Sequence, residues 1–165
     1  MREVKVEPLT LESFSPYGSY AMMINPKGLK RGAKPIEFYR DMVELNLGGA
    51  PLASFSVCRV EKRPKVIDVS EFHSSSGEGI LPLDNDILIH VAPATKKDEL
   101  QLDKIRVFKV PRGTFVALRP GVWHHAPILI SGTSASVLIV LPERAYANDC
   151  EVVRLKEEDH VKVIL

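Results

Sequence analysis

The chain has 165 residues, 45% hydrophobic and 26% charged, a globular composition long enough to bury a core without disulfide or metal staples. Its 22 Lys and Arg against 21 Asp and Glu leave a formal charge of +1, which offers no broad attraction for nucleic acid or an anionic membrane and favours a small-molecule partner. Two cysteines, Cys58 and Cys150, form neither a secreted disulfide framework nor a zinc pattern, and no apolar run reaches membrane-span length, so a cytoplasmic protein is expected.

Residues 1–9 alternate charged with apolar positions and lack the apolar core of a signal peptide. Thr10, followed by Ser13 and Phe14, predicts one short helical turn that Pro16 and Gly18 stop. The stretch 25–34, with Pro26, Gly28, Gly32 and four basic residues, reads as an exposed loop. Strand signals then recur over 51–60, 65–72, 86–92, 104–110, 114–118 and 135–141, where β-branched or alternating apolar residues cluster. Pro64, Gly77, Pro82, Asn85, Gly113, Gly121 and Gly132 punctuate them with turn chemistry. A second helical turn is predicted over 98–102. With no repeat and no linker composition, 1–165 reads as a single domain, mainly all-β, an antiparallel sandwich or barrel with one or two short helices.

Reactive side chains gather in two separated segments: Glu71, His73 and Glu78, then Pro120, Gly121, Trp123, His124 and His125. The two-residue period of a strand puts Glu71 and His73 on one face. The order resembles the two motifs of the cupin superfamily, which implies a double-stranded β-helix or jelly-roll barrel. Glu71 stands where the first motif has its leading His, and His73 and Glu78 fit its later His and Glu. Asn85 stands at its Gly, where Asn tolerates a left-handed turn. His124 fits the second motif's closing His. His73, Glu78 and His124 are therefore the expected metal ligands, for nickel, manganese, iron or zinc, and a metal-free hydrogen-bonding site is the alternative.

Adjacent His124 and His125 on a strand point to opposite faces, so at most one should reach the barrel interior, and His124 is preferred. Arg59 and Arg119 are candidate clamps for a substrate carboxylate, because a guanidinium matches two carboxylate oxygens. His90, inside an apolar run, reads as a hydrogen-bonded core histidine, and the two cysteines as buried, inert thiols. No phosphate-binding glycine loop or calcium loop is present.

Blocks along the whole chain are similar to the ureidoglycolate lyase (ureidoglycolate hydrolase) family: Val6 to Leu9, Phe14 to Gly18, Tyr39 to Asp41, Ser56 to Arg59, Glu71 with His73, Leu81 with Pro82, Val122 to His125, and Asn148 to Glu151. The family commonly has Gln at Glu78 and Gly at Asn85. The resemblance implies a carbon–nitrogen lyase of purine and allantoin breakdown that splits ureidoglycolate into urea and glyoxylate. For that reaction Glu71 or His125 is expected to move protons and His124 to be required for turnover, and the resemblance implies a homodimer. A cupin that only binds a small organic acid, or a cupin isomerase or oxygenase, is the competing expectation.

Overall fold

The computed structural model describes all residues from Met1 to Leu165, and strands make up most of its regular structure. In chain order these are β1 (Arg2–Pro8), β2 (Gly18–Met22), β3 (Lys30–Ala33), β4 (Ile36–Tyr39), β5 (Ala53–Glu61), β6 (Val66–Ile67), β7 (Val69–Phe72), β8 (Gly79–Pro82), β9 (Ile87–Val91), β10 (Arg106–Val110), β11 (Thr114–Leu118), β12 (Ile128–Leu129), β13 (Ser134–Pro142), β14 (Glu151–Arg154) and β15 (Val161–Ile164). Two one-turn helices, α1 (Leu11–Phe14) and α2 (Ala145–Asn148), interrupt them. Thr10 caps α1 as its sequence position predicts, its side chain accepting from the Ser13 amide.

One sheet runs in the order β12-β9-β10-β1-β15-β6 and a second β2-β11-β8-β13-β5, while β14 pairs with β7 and β3 with β4. Pairing is antiparallel except at β1, which lies parallel to both β10 and β15. Side-chain parity then builds two cores from one sheet. Ile87, Ile89 and Val91 of β9 join Phe108 and Val110 of β10 against Ile80, Val116, Val137 and Ile139 of the second sheet. On the opposite face, Leu88 and Ala92 join Val107, Val161, Val163, Phe72 and Trp123. Strand β9 is buried at all five positions because both of its faces are covered.

Four expectations need correction. Part of the stretch 25–34 is not loop: Lys30–Ala33 pairs with Ile36–Tyr39 in a hairpin whose side chains are nearly all exposed, so no core pattern marks it. The segment 65–72 breaks at Asp68, where the chain leaves β15 for β14 and the Asp68 carbonyl takes the Leu155 amide. Asn85 is absent from the left-handed residues, and its side-chain amide instead donates to the Ser134 carbonyl at 2.7 Å. The second helical turn falls a few residues later than predicted, at Leu102–Lys104.

Trp123 is fully buried, meets Phe72 edge-on with centroids 4.6 Å apart, and donates its indole N–H to Thr95 Oγ1 at 2.8 Å. Trp123→Ala should therefore lower the free energy of unfolding by about 3–5 kcal/mol, read from the denaturant midpoint; a loss below about 1 kcal/mol would remove Trp123 as the anchor of this second core.

Candidate functional site

Phe72 and Trp123 immediately precede His73 and His124, so once the two aromatic rings turn into the second core, the two imidazoles turn the other way. The segments are tied together by a reciprocal pair: the Glu71 amide donates to the His124 carbonyl at 2.6 Å and the His124 amide to the Glu71 carbonyl at 2.8 Å. Glu78 enters just before β8, between two glycines that have no room for a side chain. A Cβ on Gly77 would lie 2.1 Å from the Leu118 carbonyl oxygen, and one on Gly79 would lie 2.5 Å from the Phe115 ring.

The three side chains converge. His73 Nε2 lies 3.1 Å and His124 Nε2 lies 3.2 Å from the same carboxylate oxygen of Glu78. All three residues are at most 5% exposed. The far nitrogens face backbone carbonyls, His73 Nδ1 that of Asp149 at 2.5 Å and His124 Nδ1 that of Val122 at 2.8 Å. A carbonyl only accepts, so both Nδ1 atoms carry protons. In the neutral rings both Nε2 lone pairs then face a carboxylate lone pair, an arrangement that needs a positive charge between them: a second proton on a ring, or a metal ion. Burial pushes the Glu78 carboxyl up, yet the neighbouring His124 and His73 outweigh it and hold it at about 2. Burial pushes His124 down, but the Glu78 carboxylate overrides that and raises it. Glu71 adds a second carboxylate, and its donor atom lies within 4.8 Å of those of His73 and His124. The two imidazole nitrogens and the Glu71 carboxylate suit a divalent cation in both charge and ligand type, with the Glu78 carboxylate against both imidazoles.

Of these groups the two carboxylates line a cavity of about 210 Å³, together with Cys58, His125, Ala126, Pro127, Ile139 and Tyr146, while His73 and His124 stay buried against Glu78. A larger cavity of about 440 Å³ shares none of these residues and gathers no comparable set of donors, so the chemistry belongs to the smaller one. One distant segment sets the wall. The Asp149 carboxylate accepts from the amides of Ser74, Ser75 and Ser76 and from the Ser74 hydroxyl, while its backbone carbonyl takes the His73 Nδ1 proton. Cys150 donates its thiol to Glu71 at 3.5 Å, and burial and the Glu71 carboxylate push that thiol up to about 12, so it is no nucleophile.

His73, Glu78, Glu71 and His124 thus meet, and so does His125, against the expectation that only one of the adjacent histidines would. The alternation argument presumes a regular strand, whereas here isolated bridges at Trp123 and His124 give way to a bend at Ala126. Arg59 and Arg119 do not reach the cavity. On β5 it is Cys58 that faces inward, and Arg59 points out to solvent beside Glu61. Arg119 donates to the Ser15 carbonyl and lines the larger cavity. His90 is a core histidine bonded to Ser70 Oγ, which in turn donates to the His124 carbonyl; burial drives His90 down to about 3. No local pattern marks Asp149, Tyr146 or Arg63 as bordering the site; Asp149 reaches back some 75 residues to the Ser74 amide, and Arg63 donates to the carbonyls of Ala126 and Pro127 behind His125.

Two facing sheets that bring His73, His124, Glu71 and Glu78 together give the cupin-like β-barrel that the two sequence motifs predict. A family model described as ureidoglycolate lyase matches residues 1–162, and the chain belongs to that family. A ureidoglycolate lyase of Pseudomonas paraeruginosa is 30% identical over 159 residues, covering 92% of this chain and 89% of the relative. One of Rhodobacter capsulatus is 28% identical over 141 residues, covering 83% and 86%. Among solved structures, a dTDP sugar isomerase of Desulfovibrio desulfuricans aligns with a TM-score of 0.43 at 14% identity, over 86% of this chain and 85% of the other.

The Asp149 carboxyl is pushed up by burial but held below its ordinary value overall by the Ser74 and Ser75 donors. A depressed folded value contributes stability above the unfolded carboxyl pKa of about 3.9, which is lost as pH falls through the folded value. Asp149→Ala should thus be less stable than the parent by about 1–3 kcal/mol at neutral pH, with the gap narrowing below about pH 4. A gap unchanged down to pH 2 in urea denaturation would contradict the carboxylate clamp.

Proposed function

We propose that the protein is a carbon–nitrogen lyase that releases urea and glyoxylate from ureidoglycolate, a cytoplasmic step of allantoin breakdown. Family membership supports the reaction, and it favours an enzyme over a cupin that only binds an organic acid. The observation that carries the site assignment is the meeting of His73 Nε2 and His124 Nε2 on one buried Glu78 oxygen at the base of a small cavity.

The reaction breaks the bond between the hydroxyl-bearing carbon and the ureido nitrogen, leaves a carbonyl, and moves the hydroxyl proton to that nitrogen. No lysine or arginine lines the cavity, while Glu71 and Glu78 both do, so an anionic substrate meets no fixed cation there. Glu71, His73, Glu78 and His124 would hold a divalent ion, of which nickel, manganese, iron and zinc suit the donors. Such an ion supplies Lewis acidity to the substrate's carboxylate and hydroxyl oxygens. His125 lines the cavity beside them, and burial lowers its imidazole below the ordinary value, so its ring nitrogen is an unprotonated base at neutral pH. It accepts the hydroxyl proton and returns it to the departing urea nitrogen. Arg63 holds the carbonyls of the next two residues and so fixes where that ring stands.

The test is to purify the protein without added metal, measure what is bound, and assay urea and glyoxylate before and after chelation. Chelation should abolish release and one divalent metal should restore it; full activity in a metal-free sample would overturn the ligand assignment. His124→Ala should lose at least about 10²-fold in turnover, and near-normal urea release would sink its role.

We also propose a homodimer. Strand β5 is an edge of its sheet and exposes Phe55 and Val57, 68% and 63% exposed, on the face that carries Arg59. Light scattering at micromolar concentration should give twice the chain mass; a monomer alone would rule it out.

A further inference from the structure

Tyr146 stands over the cavity without any task in the proton transfers above. It projects from α2, and its ring lies edge-on to His73 with centroids 6.0 Å apart and planes at 78°. It lines the same cavity as Glu71, Glu78 and His125, yet the residue is 59% exposed, which places it at the mouth rather than at the base. Its hydroxyl has no hydrogen-bond partner within the chain. A phenol keeps its proton at neutral pH, so the hydroxyl is a hydrogen-bond donor there.

The mount is firm although the helix is a single turn. The Asp149 amide donates to the Ala145 carbonyl at 2.7 Å, Ala145 is buried, and the Asp149 carboxylate is locked to the Ser74–Ser76 backbone. The segment that fixes Tyr146 is therefore the one whose carbonyl orients His73, and the hydroxyl stands at a set place relative to the His–Glu centre.

We propose that Tyr146 is the specificity-determining residue for the ureido end of the substrate, its hydroxyl donating a hydrogen bond to the ureido carbonyl oxygen. This rests on the ureidoglycolate reading. The substrate's two ends differ in what they ask of the protein. The carboxylate and hydroxyl need positive charge, which the donors at the base gather. The ureido carbonyl is a neutral acceptor, and it needs a neutral donor about one small molecule's length away from that base. Among the lining residues Cys58 offers only a weak thiol donor and His125 is the base, which leaves the phenol. With Glu71 and Glu78 lining the cavity and no lysine or arginine there, a second carboxylate in place of the ureido group meets like charge, which a neutral ureido group does not.

Two probes that do not react separate this role from simple packing: N-carbamoylglycine, which has the carboxylate and the ureido group, and glycolate, which has the carboxylate and hydroxyl alone. Calorimetric titration of the metal-loaded parent and Tyr146→Phe should show N-carbamoylglycine binding weakened about three- to tenfold and glycolate binding unchanged. Tyr146→Phe keeps the ring and its contact with His73, so the fold is preserved. Equal affinity of parent and variant for N-carbamoylglycine overturns the proposal, and so does a parallel loss for both probes, which would mark a packing role. Steady-state assays of both proteins on ureidoglycolate keep the two readings apart. A parent that releases no urea defeats the proposed reaction and this inference with it, whereas an active parent matched by an equally active and equally selective Tyr146→Phe defeats the role of Tyr146 alone.

Discussion

A carboxylate buried to the extent of Glu78 is the constraint around which the site is arranged. An ion removed from water must find opposite charge and hydrogen bonds nearby, or it takes up a proton instead. Glu78 finds both in His73 and His124, and each of those rings is in turn fixed by a backbone carbonyl behind it. Losing one partner of such a buried group leaves the other uncompensated, a penalty of about 3–5 kcal/mol. Holding the donor set together and holding the surrounding chain together are thus one problem with one solution.

The fold solves it by parity. Phe72 and Trp123 pack against each other in the second core, and the alternation of an extended chain does the rest, delivering His73 and His124 to the opposite side. Gly77 and Gly79 let the backbone around Glu78 pass within contact distance of Leu118 and Phe115, which places the carboxylate deep rather than at the rim. Asp149 then ties the loop between His73 and Glu78 to a segment from the far end of the chain.

Much of this was legible in the sequence where the signal is local. The spacing of Glu71, His73 and Glu78 marked one half of the centre and Pro120 to His124 the other, because turn chemistry and strand period operate over a few residues. The strands β5, β9, β10, β11 and β13 also announced themselves through their apolar runs. The charged strands did not. In β1 and β15 valines alternate with charged residues, in β14 two valines are flanked by Glu151 and Arg154, and the pairing partners of all three lie far off in the chain. Orientation failed where regularity failed: His125 faces the cavity because the chain bends after it, and Arg59 faces away because register on β5 was set by Cys58 and Val60. Nothing near Asp149 or Tyr146 could have shown that they border a site built from residues 71–78, since that relation exists only once the barrel is closed.

Strand β1 carries a consequence for how the chain is made. Its neighbours are β10 and β15, with Val6 opposite Val107 and Arg2 opposite Val161. At ribosomal rates of ~5–20 residues per second, the strand waits roughly 5–20 s for β10 to be synthesised, and longer for β15. During that interval both of its edges are open to any other extended segment in the cell. Its sequence, Arg-Glu-Val-Lys-Val-Glu, places a charge next to every valine, which is the pattern that discourages an unpaired edge from adding to a stranger. The charges that hid β1 from a search for apolar strands are the ones that keep the nascent chain soluble until its partners arrive.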